Sequence, residues 1–202
     1  MKLFDFDYKN YIIEKKIYIF ANFRICMLRV FTRKREYPLL KEFFDDLNIE
    51  YELYKSKDFI TLEPFDFGVS YCYSKKIEPP LLYLARKGFV NYHPAPLPQY
   101  PNGPNIKGNA SDRALEQKVS KWGVTVHYMN EEYDKGEVIN KKMYQLMEPA
   151  KSLDEHGALA HFHMWKLFQE TIIDLYHFSN PINDSFIKKF QNKNEKITRI
   201  QL

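Results

Sequence analysis

The sequence predicts an α/β fold, with one mostly parallel sheet flanked by helices. Segments with the composition of buried strands alternate along the chain with segments whose apolar residues recur at helical spacing. Such alternation is typical of βαβ units, which place strands parallel and cover the sheet with helices. With 202 residues, of which 45% are hydrophobic and 16% aromatic, the chain is long and apolar enough for one domain with a substantial core.

Six segments are predicted to be strands, because each is a run of apolar, aromatic or β-branched residues bounded by turn-forming ones. In chain order they are residues 15–23, 49–55, 65–74, 89–93, 123–130 and 136–146. The fourth strand, FVNYH, must end near His93, because three of the next five residues are prolines. Proline lacks the amide hydrogen that a sheet ladder needs.

Four segments are predicted to be helices. Residues 36–48 carry apolar side chains at helical spacing, residues 78–88 have prolines near the start and a glycine at the end, and residues 104–118 are weakly helical. The last helix is long and amphipathic, and it begins at a capping box formed by Ser152 and Glu155. Its apolar residues are Leu159, Phe162, Trp165, Leu167, Phe168, Ile172 and Leu175.

The predicted domain boundary follows the long helix. Residues 1–178 hold all the predicted strands and helices, whereas residues 179–202 begin with Ser-Asn-Pro and become polar and rich in lysine and asparagine. We therefore expect one domain over residues 1–178 and a tail or small appendage over residues 179–202.

The composition argues against several functional classes. The net charge is +4 and the pI is near 8.8, and the basic residues are scattered among 26 acidic ones, unlike the dense basic patch of a nucleic-acid-binding protein. No apolar run is long enough to span a membrane, and the first ten residues include acids, unlike a signal peptide. We expect a cytoplasmic protein that neither binds nucleic acid nor inserts into a membrane.

Several common catalytic motifs do not occur in the sequence. Only seven glycines are present, and neither the dinucleotide-binding fingerprint, nor the phosphate-binding P-loop, nor the hydrolase G-x-S-x-G occurs. Two cysteines are too few for a cysteine-based zinc site. His161 and His163 diverge on a helix, so they cannot chelate one ion. We therefore predict no metal site.

Asn91 and His93 form the first candidate site. Side chains two apart on a strand share a face, so both point the same way where the strand ends. Open α/β sheets hold their ligands at the carboxyl ends of strands. Asp134 is the best acid to meet them, because it lies on a tight connection between two predicted strands. Gly136 follows it and suits a turn with positive φ.

These segments together resemble a known family. NYHPAPLPQY, followed by GVTVHYMNEEYDKGEVI, is similar to the formyltetrahydrofolate-dependent formyltransferases, most of all to the sugar N-formyltransferases, and the resemblance covers roughly residues 65–146. The matching positions are Asn91, His93, Pro94, Leu97, Pro98, Tyr100, Gly123, Thr125, Asp134 and Gly136, with Ile77 and Pro79 upstream. The resemblance implies the Rossmann-like formyltransferase fold, with residues 1–178 as the catalytic domain.

The resemblance implies transfer of a formyl group from 10-formyltetrahydrofolate, as co-substrate, to a primary amine. His93 is then the general base or proton shuttle, because its reference pKa is close to neutrality. Asn91 has an uncharged amide that suits a donor to the oxyanion. Asp134 would hold the imidazole of His93 and favour its protonated form.

The resemblance also implies where the ligands lie, with no metal ion. The folate is expected against the end of the third predicted strand and the segment that leads to Asp134. The residues expected there are Tyr73, Ser74, Ile77, Tyr133 and Asp134. The amine substrate is expected beside the loop that follows His93. The residues expected there are Gln99, Tyr100, Asn102 and Asn105.

Three amine substrates are candidates within the family. A glycinamide-ribonucleotide enzyme holds its phosphate in a glycine-rich loop after the first strand, where this chain has ANFRICM. A methionyl-tRNA enzyme carries a C-terminal barrel and a basic surface, which the residues after 181 are too few to form. A dTDP- or UDP-linked amino sugar for surface polysaccharide, such as lipopolysaccharide O-antigen, is therefore favoured. Glycinamide ribonucleotide, a non-catalytic ligand-binding relative and a homodimer stay open.

Overall fold

A computed structural model describes residues 28–55, 58–61, 63–178 and 199–201. Its centre is a six-stranded sheet with the spatial order β2-β1-β4-β5-β6-β7. The four strands β2, β1, β4 and β5 pair parallel, and β6 and β7 continue the sheet antiparallel. The strands are β1 (Leu28–Thr32), β2 (Tyr51–Lys55), β3 (Phe59–Thr61), β4 (Phe67–Tyr71), β5 (Phe89–His93), β6 (Lys121–Tyr128), β7 (Val138–Gln145) and β8 (Arg199–Gln201).

Within the described residues, four helices accompany the strands: α1 (Tyr37–Leu47), α2 (Pro79–Leu82), α3 (Ala110–Glu116) and α4 (Leu153–Phe178). Asn48 ends α1 in a left-handed conformation, φ 52°, and its N–H donates to the carbonyls of Phe44 and Asp45. Asn109 begins α3 with a capping box, in which its side chain accepts from the N–H of Asp112. No helix among the described residues is long and apolar enough to cross a membrane.

The two faces of the sheet are covered differently. On one face α1 and α4 pack over the sheet through an aromatic cluster, in which Phe168 contacts the rings of Phe43, Tyr71 and Tyr92 at centroid distances of 4.9 to 5.5 Å. On the other face α2 and its flanking turns pack against Phe31 and Phe89. The layered α/β arrangement of the prediction is confirmed.

The first strand of the sheet was missed by the sequence prediction. The predicted strand over residues 15–23 lies outside the described residues, and β1 was not predicted. The strand LRVFT contains a buried charged residue, Arg29, whose side chain is only 2% exposed. Its Nε donates to Glu52 Oε2 on the neighbouring β2 at 2.7 Å. A buried arginine paired across strands hides the apolar pattern on which the prediction depended.

Two predicted helices are shorter than expected. The helix predicted over residues 78–88 is the single turn α2, because the residues after it pair with Phe65 instead: Phe65 N donates to Leu84 O at 3.1 Å, and Arg86 N donates to Phe65 O at 2.8 Å. The weak helix over residues 104–118 is limited to α3. At the long helix α4, Ser152 Oγ accepts from Glu155 N at 3.2 Å, which is one half of the predicted capping box.

Of the predicted tail, only β8 is described, and it pairs antiparallel with β3. The rest of residues 179–202 lies outside the described residues. The division into a domain over residues 1–178 and a tail over residues 179–202 therefore stays a prediction.

Candidate active site

A cleft of about 370 Å³ lies beside the segments that follow β4 and β5. One wall is formed by residues after β4, another by side chains of β5, and a third by the connection between β6 and β7. Asn91 and His93 lie two residues apart on β5, so their side chains point to the same face of the sheet. The chain turns away after His93, where prolines end the strand as the sequence predicted.

The structure brings the three predicted catalytic side chains together. His93 Nδ1 lies 3.4 Å from Asp134 Oδ2, and Asn91 Nδ2 lies 3.4 Å from Asp134 Oδ1. The backbone N–H of Asn102 donates to Asp134 Oδ2 at 2.7 Å. Asp134 itself takes a left-handed conformation, φ 53°, which aims its carboxylate back over the sheet.

A fourth side chain, His127, was not identified from the sequence. It lies on β6 directly opposite Asn91, and it is only 2% exposed. Its Nε2 is 3.2 Å from Asn91 Nδ2 and 3.6 Å from Asp134 Oδ1. The sequence GVTVHYMN does place His127 on the same strand face as Thr125. That His127 lies opposite Asn91, however, depends on the antiparallel register of β5 and β6. Asn91, His93, His127 and Asp134 are called the Asp134 cluster below.

Two backbone carbonyls fix the tautomers of the histidines in the Asp134 cluster. His93 Nε2 is 2.9 Å from the carbonyl of Tyr100, and His127 Nδ1 is 2.8 Å from the carbonyl of Tyr128. A carbonyl oxygen can only accept, so both of these nitrogens carry hydrogen. The other nitrogen of each ring faces Asp134.

The hydrogens of Asn91 are also accounted for. With its ring hydrogen on Nδ1, His127 accepts one amide hydrogen of Asn91 at Nε2, and Asp134 Oδ1 accepts the other. Both amide hydrogens of Asn91 are therefore engaged within the Asp134 cluster, and donation to an oxyanion requires one of these contacts to be given up.

Burial and charge act in opposite directions on the pKa values of the Asp134 cluster. Burial lowers the pKa of His93 below its usual value of about 6.5, and it outweighs the opposing effects of the Asp134 charge and the Tyr100 carbonyl. The predicted effect of Asp134 on His93 is present but smaller than that of burial. Burial alone would raise the pKa of Asp134, but His127, His93 and the N–H of Asn102 together hold it below its usual value.

Position 136 requires glycine for a different reason from the one predicted. The prediction of a positive φ at Gly136 is wrong, because Asp134 is the residue of this turn that adopts one. A Cβ at Gly136 would lie 1.7 Å from the carbonyl oxygen of Tyr128. The turn therefore needs glycine because the backbone of β6 passes too close for any side chain.

The residues predicted to contact a folate all line the cleft. They are Tyr73, Ser74, Ile77, Tyr133 and Asp134. The Tyr73 hydroxyl is buried and has no hydrogen-bond partner within the described part of the chain. Lys76 Nζ lies 5.8 Å from the centroid of the Tyr133 ring. The wall thus offers an aromatic edge and a cation to a large polar ligand.

Only one of the residues predicted to contact the amine substrate lines the cleft, namely Asn102. Tyr100 turns its ring against Trp122, at a centroid distance of 4.5 Å, and its hydroxyl donates to Gln117 at 2.5 Å. Gln99 and Asn105 also lie outside the cleft wall. A role for these three in substrate binding stays a prediction. No group of three or more histidine, cysteine or acidic side chains is placed to hold a metal ion among the residues described.

The chain matches the formyl transferase family model over residues 54–171. Solved structures with a similar fold include phosphoribosylglycinamide formyltransferase from Streptococcus pneumoniae TIGR4, at 20% identity over 75% of this chain and 99% of that one, TM-score 0.57.

Two further neighbours have nucleotide sugars in their crystal structures. The formyltransferase PseJ from Anoxybacillus kamchatkensis, in complex with UDP-4,6-dideoxy-4-formamido-L-AltNAc and tetrahydrofolate, is 24% identical over 74% of this chain and 76% of that one, TM-score 0.59. The N-formyltransferase from Helicobacter canadensis, with folinic acid and dTDP-3-aminofucose, is 14% identical over 80% of this chain and 69% of that one, TM-score 0.57. At these identities the structural matches support the fold alone.

Proposed function

Because this chain belongs to the formyl transferase family and transfers formyl groups from a folate, we propose that its acceptor is the amine of a nucleotide-linked amino sugar. The Asp134 cluster supports the catalytic part of the proposal, since a protein that only binds a ligand has no need of a carboxylate, an amide and two imidazoles in mutual contact. The choice of acceptor rests on the segment after β1, which lacks glycine. The product would serve the assembly of a surface polysaccharide such as lipopolysaccharide O-antigen.

The segment after β1 favours an amino sugar over glycinamide ribonucleotide. The segment ANFRICM lies outside the described residues, but residues 33–36, with the sequence RKRE, follow β1 and also lack glycine. A glycine-rich loop that wraps a phosphate in backbone N–H groups is therefore missing at this place.

The proposed reaction joins the acceptor amine to the formyl carbon. The amine nitrogen attacks that carbon, a tetrahedral intermediate with a negative oxygen forms, and the bond from the carbon to the folate nitrogen then breaks. One proton leaves the amine and one is gained by the folate nitrogen. We assign the proton transfer to His93, donation to the oxyanion to Asn91, and orientation of both to Asp134. To act as the base with Nε2, His93 must leave the Tyr100 carbonyl and carry its ring hydrogen on Nδ1, where Asp134 Oδ2 can accept it.

The acidic side of the pH profile tests the role of His93. A general base must be neutral, and burial lowers the pKa of His93 below about 6.5. We therefore expect kcat/KM to fall only at pH values below about 6.5, where His93 becomes protonated. Asp134 raises the pKa of His93, so Asp134→Asn should shift the fall to still lower pH. A shift to higher pH in Asp134→Asn would contradict this assignment.

A pair of His127 variants tests whether this residue orients Asn91. His127→Leu removes the partner of the Asn91 amide, and we expect kcat to fall about 10²-fold, as for a misplaced catalytic group. His127→Gln can still accept from Asn91 and donate to Asp134, and it should retain activity to within about 10-fold. KM for the folate should change little in both. Equal losses in the two variants would indicate a role in packing alone.

Competition between acceptors tests the proposed function. Initial rates are measured with 10-formyltetrahydrofolate and a panel of dTDP- and UDP-linked amino sugars, beside glycinamide ribonucleotide. We expect kcat/KM to be highest for one nucleotide-linked amino sugar. A higher kcat/KM for glycinamide ribonucleotide would replace the proposed acceptor, and no transfer to any amine would point to a ligand-binding relative.

A further inference from the structure

The loop between β5 and α3 supplies two backbone groups to the Asp134 cluster. The carbonyl of Tyr100 contacts His93 Nε2 at 2.9 Å, and the N–H of Asn102 donates to Asp134 Oδ2 at 2.7 Å. The same Oδ2 lies 3.4 Å from His93 Nδ1. The mutual position of the imidazole and the carboxylate therefore depends on how this loop is held in place.

Arg113 on α3 holds this loop at two points. Its Nη1 donates to the carbonyl of Gly108 at 2.9 Å, and its Nη2 donates to the carbonyl of Pro101 at 2.5 Å. The two contacts use different arms of one planar guanidinium, which fixes the distance between them. A third contact lies beside them, because Asn102 Oδ1 accepts from the N–H of Ala110 at 3.1 Å. The loop is thus attached to the first turn of α3 and to Arg113.

The contact at Pro101 reaches Asp134 through a single peptide group. The carbonyl that accepts from Arg113 and the N–H that donates to Asp134 belong to the same peptide, between Pro101 and Asn102. This peptide is trans, so its carbonyl and its N–H point in opposite directions, towards the cation and the carboxylate respectively. Hydrogen bonds in such a chain polarise one another, so the guanidinium strengthens the N–H as a donor to the carboxylate.

We propose that Arg113 is a positioning residue for formyl transfer. It holds the peptide before Asn102 so that the carboxylate of Asp134 faces the imidazole of His93. Arg113 does not line the cleft, so it acts through this peptide and not on a substrate. The inference rests on the roles proposed for His93 and Asp134, and it names the part of the fold that keeps the two side chains in place.

The charge of Arg113 has a separate effect on His93. Burial is the largest cause of the lowered pKa of His93, and Asp134 and the Tyr100 carbonyl oppose it. The charges of His127 and Arg113 act in the same direction as burial. Loss of the Arg113 charge therefore raises the pKa of His93, and the fall of kcat/KM on the acidic side should move to higher pH. This shift is opposite to the one expected for Asp134→Asn.

Two variants of Arg113 separate its position from its charge. Arg113→Met loses both, so we expect kcat to fall about tenfold, the acidic fall of kcat/KM to move to higher pH, and KM for the folate to change little. Arg113→Lys keeps the charge but not the planar two-armed contact, so kcat should fall while the pH profile stays in place. Lys118→Met is the matched control, because Lys118 is an exposed cation just after α3, and neither kcat nor the pH profile should change.

The backbone amide of Asn102 reports the contact without any substrate. Its hydrogen bond to Asp134 is short and has a charged acceptor, so its proton should resonate downfield in ¹H–¹⁵N NMR spectra. We expect Arg113→Met and Asp134→Asn to move this resonance upfield and Lys118→Met to leave it unchanged. If Arg113→Met does not fold, Arg113→Lys tests the same contact, because it keeps the charge and most of the side-chain volume.

The outcomes separate this inference from the proposed function. If Arg113→Met leaves the Asn102 amide and kcat unchanged while His93→Ala lowers kcat, Arg113 is not a positioning residue and the proposed function stands. Equal losses of kcat in Arg113→Met and Lys118→Met would also overturn the inference, because the effect would then be one of net charge. If the wild-type protein formylates no amine, the proposed function fails, and an upfield shift in Arg113→Met would still support the contact between Arg113, the peptide and Asp134.

Discussion

His93→Ala and Asp134→Ala are expected to lower kcat for formyl transfer by about 10² to 10³, which corresponds to about 2.7–4 kcal/mol of transition-state stabilisation. His93→Ala removes the group that moves the proton. Asp134→Ala removes the carboxylate that faces both imidazoles and the Asn91 amide. KM for the folate should change much less. His163→Asn is the matched control, because His163 stacks on Tyr144 outside the cleft, and its kcat should stay within about twofold.

The two losses should not add. Most of the effect of Asp134 on the reaction is expected to pass through the imidazole of His93, so the double variant His93→Ala/Asp134→Ala should be little slower than His93→Ala alone. The measurement is a double-mutant cycle of kcat at saturating substrates. If Asp134→Ala costs as much in the His93→Ala background as in the intact enzyme, Asp134 has an independent role.

Gly136→Ala is expected to lower kcat about as strongly as loss of Asp134 itself. A Cβ would lie 1.7 Å from the carbonyl oxygen of Tyr128, so the backbone must move, and Asp134 lies two residues away in the same turn. The free energy of unfolding should also fall by about 1–3 kcal/mol, as for other overpacked sites.

Gly157→Ala is the matched control for Gly136→Ala. Gly157 lies within α4, and a Cβ there meets nothing within 4 Å. Alanine is the better helix former, so Tm should stay the same or rise and kcat should not change. Thermal unfolding and initial rates are measured on both variants. Full activity in Gly136→Ala would show that the turn does not need to hold Asp134 in its present place.

The sequence was sufficient to predict the part of the candidate site that depends on local geometry. Alternation along FVNYH places Asn91 and His93 on one face, and the prolines end the strand beside them. His127 depends on which residue of β6 lies opposite Asn91, and that register is a property of the assembled sheet. The same limit applies to Gly136, whose neighbour is the backbone of β6.

Two parts of the fold were hidden by interactions between segments distant in sequence. Arg29 in β1 is buried because Glu52 on β2 neutralises it, so the apolar run of a strand is interrupted in the sequence. The residues after α2 have helical composition, but Phe65 takes their backbone hydrogen bonds and ends the helix after one turn. In both cases the deciding partner belongs to another segment, which a local pattern does not contain.

The most direct test of the account follows the formyl group itself. The protein is given 10-formyltetrahydrofolate with ¹³C in the formyl carbon and the nucleotide-linked amino sugar that gave the highest kcat/KM, and the products are identified by ¹³C NMR and mass spectrometry. We predict that the label appears as a new amide on the sugar, and that His93→Ala and Asp134→Ala form it at least about 10² times more slowly. Label found only in free formate or on glycinamide ribonucleotide, or formed equally fast by both variants, would contradict the account.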